Sequence, residues 1–272
     1  MLYISLAALV YGAIYLAVSR MIFRPLRYPC GRWDTQAELG AQDVWLRTSD
    51  GIRLHAWFLE APGSRLVTIY LKGNGTNITN RPGHLREIVP AGSSVLILDY
   101  RGYGKSEGRP TERGLYRDAD AVYDRLIGMG YEPGQIVLLG ESLGSAVAVD
   151  LARRRPVAGV ILECPFTSFS ALAGAIVPWV GRLFASGFNS LGKIGAVHAP
   201  LLIIHGDRDT LTPYAMGRAL FDAANEPKSF WTVEGACHID IVPVAGPLYR
   251  ARLQEFFENI LSRPAAGAGT LT

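Results

Sequence analysis

The chain of 272 residues has only three cysteines, Cys30, Cys164 and Cys237, which lie far apart and form no CxxC pair. An odd number so spaced excludes a disulfide framework and a zinc site built on paired cysteines. The chain also lacks a strong charge of either sign. Its 27 basic residues against 24 acidic ones leave a net charge of +3 at pH 7, with no Lys/Arg stripe interleaved with aromatics, so nucleic-acid binding has no support. Nothing in the sequence repeats, which excludes a solenoid and leaves one large domain with terminal extensions.

What the chain has in excess is apolar residues, 49% of the total, and part of that excess is concentrated in one place. The stretch LYISLAALVYGAIYLAVS, Leu2 to Ser19, carries no charge. As a helix it would be roughly 27 Å long at about 1.5 Å per residue, close to a bilayer core. Arg20, Arg24, Arg27 and Arg32 follow it, and that bias predicts a single-pass anchor with the body of the protein on the cytoplasmic side. A cleaved signal peptide and a buried N-terminal helix are the competing readings; the first is weakened by the missing basic n-region. The predicted organisation is an anchor over residues 1–24, a linker over 25–40, a catalytic domain over 41–263 and a flexible tail over 264–272.

Past the linker, short strand-like runs alternate with helical patterns. DVWLRT (Asp43 to Thr48) and RLHAWFLE (Arg53 to Glu60) read as a hairpin across Ser49-Asp50-Gly51. Near-continuous aliphatic runs begin at Leu66, Ser94, Ile136, Gly159, Leu201 and Ser229, as strands buried on both faces require. Helical spacing is clearest from Thr111 to Met129; further helices are expected after Ser142, over Pro213 to Ala224 and over Pro247 to Leu261. The predicted fold is α/β, with about eight mostly parallel strands and helices on both faces. The apolar stretch Phe169 to Phe188 is longer than a crossover needs and reads either as a buried helix or as a wall for an acyl pocket.

The chemistry centres on GESLG, Gly140 to Gly144, between the strand QIVLL and the helix candidate SAVAVDLARR. A serine held at a strand-to-helix turn by two flanking glycines is exposed for attack, but it needs a base. Of five histidines, His55, His84, His198 and His205 lie in strands or connections; His238 follows the last strand, where a loop can lean over the sheet edge. The orienting acid should follow the strand LLIIH, and of Asp207 and Asp209 the latter is preferred, Asp207 reading as a turn-former or a partner of Arg208. The order Ser142, Asp209, His238 is nucleophile, acid, base.

Two N–H donors are then needed for a developing oxyanion, and the backbone of Leu143 at the helix start supplies one. The loop KGNG after the strand LVTIYL supplies the other, assigned to the amide of Asn74. That loop is not a dinucleotide fingerprint, because Ile78 stands where glycine is required; GYGKS is not a P-loop, because Asp99 does. Cys164 and Cys237 read as small packed residues. Arg101, in the block Asp99 to Ser106, reads as a brace between loops.

DYRGYGKSEGRPTERGLYRDADAVYDRL, GESLGSAVA, ECPFTSF, APLLIIHGDRDTLTP and GACHID together resemble the α/β-hydrolase superfamily. The resemblance is to its small membrane-anchored branch, which includes depalmitoylating thioesterases, bacterial hydrolases and peptidase-like relatives. It implies the same roles for Ser142, Asp209, His238, Asn74 and Leu143. One position departs from the pattern: Lys72 stands where relatives usually carry a loop-bracing histidine. The expected activity is cleavage of an acyl ester or thioester through an acyl-enzyme, with no metal or organic cofactor implied. The partners expected are an acyl, lipid-like substrate and a membrane. A peptidase or amidase of the same fold and a non-catalytic tethered domain are the alternatives.

Overall fold

A computed structural model describes residues 23–176 and 187–263. The anchor candidate Leu2 to Ser19, residues 177–186 of the apolar stretch and the tail 264–272 lie outside the described residues. Among the described residues no helix is long and apolar enough to cross a membrane.

Eight strands form one sheet: β1 (Gln42–Arg47), β2 (Arg53–Leu59), β3 (Leu66–Leu71), β4 (Ser93–Asp99), β5 (Ile136–Glu141), β6 (Gly159–Glu163), β7 (Leu201–Gly206) and β8 (Lys228–Val233). Their order is β1-β2-β4-β3-β5-β6-β7-β8, with β2 antiparallel to both of its neighbours, β1 and β4, and every other neighbouring pair parallel. The hairpin and all six aliphatic runs are thus strands, and the predicted fold class stands.

The parallel strands are apolar throughout because each feeds two cores. Val67, Ile69 and Leu71 of β3 and Leu138 of β5 face a cluster closed by Leu115, Ala119 and Val122 of α3 (Glu112–Gly128) and by Ala146 and Val147 of α4 (Leu143–Ala152). Leu66 and Tyr70 of β3 and Val137 and Leu139 of β5 face the opposite cluster. There Leu85 and Ile88 of α2 (Pro82–Ile88) meet Tyr249, Leu253 and Phe257 of α9 (Pro247–Leu261). Alternation along a strand sends successive side chains to opposite faces, so a two-sided core needs an unbroken apolar run. Helix α3 starts where its sequence caps it: the Thr111 hydroxyl accepts from the Gly114 amide at 3.0 Å.

The helix expected over Pro213 to Ala224 is α7 (Tyr214–Ala223), and short helices complete the structure where periodicity gives little signal: α1 (Thr35–Leu39), α5 (Phe169–Ile176), α6 (Leu191–Ile194) and α8 (Ile241–Ala245). The segment read as a linker carries α1 and is fastened to the body. Tyr28 donates its amide to Gly104 O at 2.9 Å, and Asn77 donates its side-chain amide to Cys30 O at 2.8 Å. Trp33 packs edge-on against Trp57.

Connectivity positions the site. The chain runs from β3 outward to β4, then crosses back over β3 to β5 and continues in the other direction. At such a reversal the loops beyond the carboxyl ends of β3 and β5 diverge and leave a crevice. KGNG follows β3 and Ser142 follows β5, so the two face each other there.

Candidate active site

Ser142 is the first residue past β5 and has φ 51°, ψ −114°, a backbone that an L-residue holds only when its surroundings impose it. The surroundings are closely packed. A Cβ on Gly144 would stand 1.8 Å from Leu71 O, and one on Gly140 would stand 2.5 Å from Gly144 O. The two glycines therefore let α4 start directly against β3 and β5. The turn is tied down by the Ser142 amide, which donates to Glu163 O at 2.8 Å, and by the Ser145 hydroxyl, which donates to Ser142 O at 2.6 Å.

Three side chains from separate loops meet at this turn. Ser142 Oγ lies 3.0 Å from His238 Nε2, and His238 Nδ1 lies 2.8 Å from Asp209 Oδ2. Asp209 is buried, with its remaining lone pairs used: Oδ1 accepts from the amides of Leu211 (2.9 Å) and Thr212 (2.8 Å), and Oδ2 accepts from the Thr212 hydroxyl (2.6 Å). Burial alone would raise its pKa; the hydrogen bonds from His205 and His238, with the imidazole charge and Thr212, hold it far below the usual carboxylate range. An anionic acid requires the His238 proton at Nδ1, which leaves Nε2 to accept from the serine hydroxyl.

The loop expected to hold the second amide donor lies against the serine. A Cβ on Gly73 would stand 3.5 Å from Ser142 Cβ and 2.9 Å from Glu141 Oε1, so the loop backbone lies in contact with the serine and a side chain there would press on Glu141. Asn74 follows it, its side-chain oxygen accepting from Tyr103 Oη at 2.6 Å and from the Gly75 amide at 2.9 Å. Leu143 is the first residue of α4, with its amide at the positive end of the helix.

Several surrounding residues carried no readable sequence signal. Thr212 bonds Asp209 and lies 3.0 Å from His238 Nδ1. His205, near the end of β7, is fully buried with Nε2 2.9 Å from Thr212 O and 3.4 Å from Asp209 Oδ2. Beneath the elbow, Glu141 takes a two-point ion pair from Arg81 (2.5 and 2.6 Å) and the Tyr70 hydroxyl (2.7 Å). Glu163 beside it takes His84 (2.9 Å) and Tyr249 (2.7 Å). Arg101 ties the hairpin turn at Asp50 to Asp118 on α3 rather than bracing two loops. Asp207 accepts from the Gly235 amide at 2.6 Å and so joins the turns after β7 and β8.

Cys164 is buried as expected and holds a positive φ of 47°, and burial pushes its thiol pKa upward. Cys237 is not packed; it is exposed in the turn before His238, its amide donating to Asp240 at 2.6 Å. Cys164, His205 and Asp209 bring metal-capable atoms within 4.8 Å of one another. His205 Nε2 is committed to the Thr212 carbonyl and Asp209 to His238, while the buried His205 Nδ1 has no hydrogen-bond partner among the described residues. A groove of about 520 Å³ lined by Asp43, Trp45, Arg125 and Tyr131 carries none of these groups.

Comparison with known proteins places the chain in a family. The model of the alpha/beta hydrolase family matches residues 73–262. The chain belongs to that family. It is 36% identical over 246 residues to the Mycobacterium tuberculosis protein Rv2307c, covering 87% of each chain. It is 34% identical over 235 residues to human alpha/beta hydrolase domain-containing protein 17C, covering 84% of this chain and 69% of that one. The Pyrococcus furiosus esterase Pf2001 shares the fold with a TM-score of 0.73 at 22% identity, over 88% of this chain and 98% of the esterase. Membership makes this hydrolase-family chain a hydrolase in class; the bond cleaved turns on the site.

Proposed function

We propose that this hydrolase cleaves an ester or thioester of an acyl chain through an acyl-enzyme on Ser142. The observation that carries the reading is the unbroken hydrogen-bond chain Ser142–His238–Asp209 at the carboxyl edge of the sheet. In the first half-reaction Ser142 Oγ attacks the carbonyl carbon as its proton passes to His238 Nε2; the tetrahedral oxyanion is met by the amides of Leu143 and Asn74. His238 then gives that proton to the departing alcohol or thiol, leaving the acyl group on Ser142. In the second half-reaction water repeats the sequence and the free acid leaves. Asp209 stays anionic throughout and stabilises the imidazolium.

The apolar helix α5, with Phe169 and Leu172 packed against the core, supports an acyl substrate over a sugar or nucleotide. The N-terminal stretch Leu2 to Ser19 with its trailing arginines supports a membrane-anchored enzyme with the catalytic body on the cytoplasmic side. Wild-type protein treated with a fluorophosphonate probe should be labelled and Ser142→Ala should not; labelling that survives the substitution refutes the nucleophile. A p-nitrophenyl ester series of increasing chain length should show turnover rising with chain length; no turnover on any member removes the esterase reading.

A further inference from the structure

We infer that Lys72 and Tyr103 are positioning residues that hold the KGNG loop in its oxyanion-binding shape, and that the loop keeps this shape only while Lys72 is charged. The inference rests on the serine-hydrolase reading above. Lys72 is fully buried, which is rare for an ammonium. Its Nζ donates to Thr76 O at 2.7 Å, closing the loop from residue 72 to residue 76, and stands 3.8 Å from Asp99 Oδ1. It lies over the Tyr103 ring at 4.1 Å and nearer the edge of reach of Tyr100 at 5.3 Å.

Tyr103 completes the device. Its ring receives the ammonium on one face while its hydroxyl bonds Asn74 Oδ1 at 2.6 Å, so one side chain links the charge to the residue whose amide faces the oxyanion. Asp99 anchors the same end of the loop, accepting from the Ile78 amide at 3.0 Å. Gly104 permits this, since a Cβ there would stand 1.8 Å from Asp99 Oδ2. The block Asp99 to Gly104, for which the sequence offered no chemistry, thus forms the floor under the loop.

Burial drives the Lys72 pKa down to about 8, against the pull of Asp99 and with a further push from Arg81. The charged and titratable groups facing it are Asp99 on β4, Tyr100 and Tyr103 after β4, Arg81 ahead of α2 and Glu141 at the end of β5. Tyr100 and Tyr103 are pushed above their ordinary values by burial, Arg81 is held upward by Glu141 and Glu141 is held near 2, so these four keep their protonation states across the alkaline range where Lys72 loses its proton. Deprotonation removes the cation between Asp99 and Tyr103 and weakens the bond to Thr76 O.

The test compares wild type, Lys72→Met and Tyr103→Phe on a p-nitrophenyl ester from pH 6 to 10, with fluorophosphonate labelling of Ser142 measured in parallel. Losing an oxyanion donor costs about 10²–10³ in kcat, so a displaced one should cost about 10–100-fold, with KM nearly unchanged. Wild type should lose kcat as pH rises past about 8, and Lys72→Met should show a low, flat alkaline arm. Tyr103→Phe keeps the ring and deletes only the bond to Asn74; it should lower kcat while retaining the alkaline fall, and it decides the matter with the wild-type profile should Lys72→Met fail to fold. Wild-type labelling with equal kcat and equal alkaline arms in all three proteins overturns this inference alone. A wild type that takes no label overturns the serine-hydrolase reading and this one with it.

Discussion

Replacing Arg81 by methionine tests whether the buried ion pair under the elbow holds the fold. Arg81 meets Glu141 at 2.5 and 2.6 Å, and both side chains are only 12–13% exposed, so removing the guanidinium leaves a carboxylate with the Tyr70 hydroxyl and the more distant His84 for support. Breaking a buried pair from one side costs about 3–5 kcal/mol. The direction of the Glu141 pKa agrees with a favourable pair. Burial raises the Glu141 pKa, but the Arg81 and His84 charges and the bonds from Arg81 and Tyr70 bring it from 4.5 down to about 2. That corresponds to about 3 kcal/mol at about 1.4 kcal/mol per pH unit.

The sign follows from linkage. In wild type the folded pKa is depressed, so this stability is complete above pH 4.5 and is lost as pH falls toward 2. In Arg81→Met burial prevails and the carboxyl moves above 4.5, so the variant binds the proton more tightly folded than unfolded and loses stability as pH rises through that range. Wild type minus variant should therefore widen from pH 4.5 to 7.5. Urea denaturation followed by the fluorescence of the five tryptophans at pH 4.5, 6 and 7.5 measures it. A loss below about 1 kcal/mol at pH 7.5, or a difference that does not grow with pH, would refute the argument.

Other substitutions separate the parts of the site. Asp209→Asn should cut kcat by about 10³–10⁴, because an amide can donate to His238 and select the wrong tautomer; a loss under tenfold on a p-nitrophenyl ester would remove Asp209 as the acid. Thr212→Val deletes the hydroxyl bonded to Asp209 Oδ2 and should lower kcat about tenfold with KM unchanged, as measured by steady-state kinetics. Gly144→Val places a Cβ 1.8 Å from Leu71 O and should cost more than the about 1–3 kcal/mol of ordinary overpacking; a soluble variant with a wild-type urea midpoint would show that the elbow is not so tightly packed.

The linear sequence determined the elements whose physics is local. Unbroken aliphatic runs such as LVTIYL can satisfy only strands buried on two faces, and Gly140-x-Ser142-x-Gly144 between strand and helix leaves few shapes but a sharp turn. Short helices such as α1 and α8 were illegible because five residues carry too little periodicity, and the supposed linker is ordered by bonds to residues such as Gly104 and Asn77 that are distant in sequence. Asp209 and His238 could be nominated by their place after β7 and β8, but the 2.8 and 3.0 Å contacts exist only once the sheet brings those loops beside Ser142. Tertiary structure alone decided the neighbours of the buried charges. Lys72 over Tyr103, Arg81 against Glu141 and Thr212 on Asp209 join residues 3 to 60 positions apart, and a charge in a dry interior is stable only where packing delivers its partner.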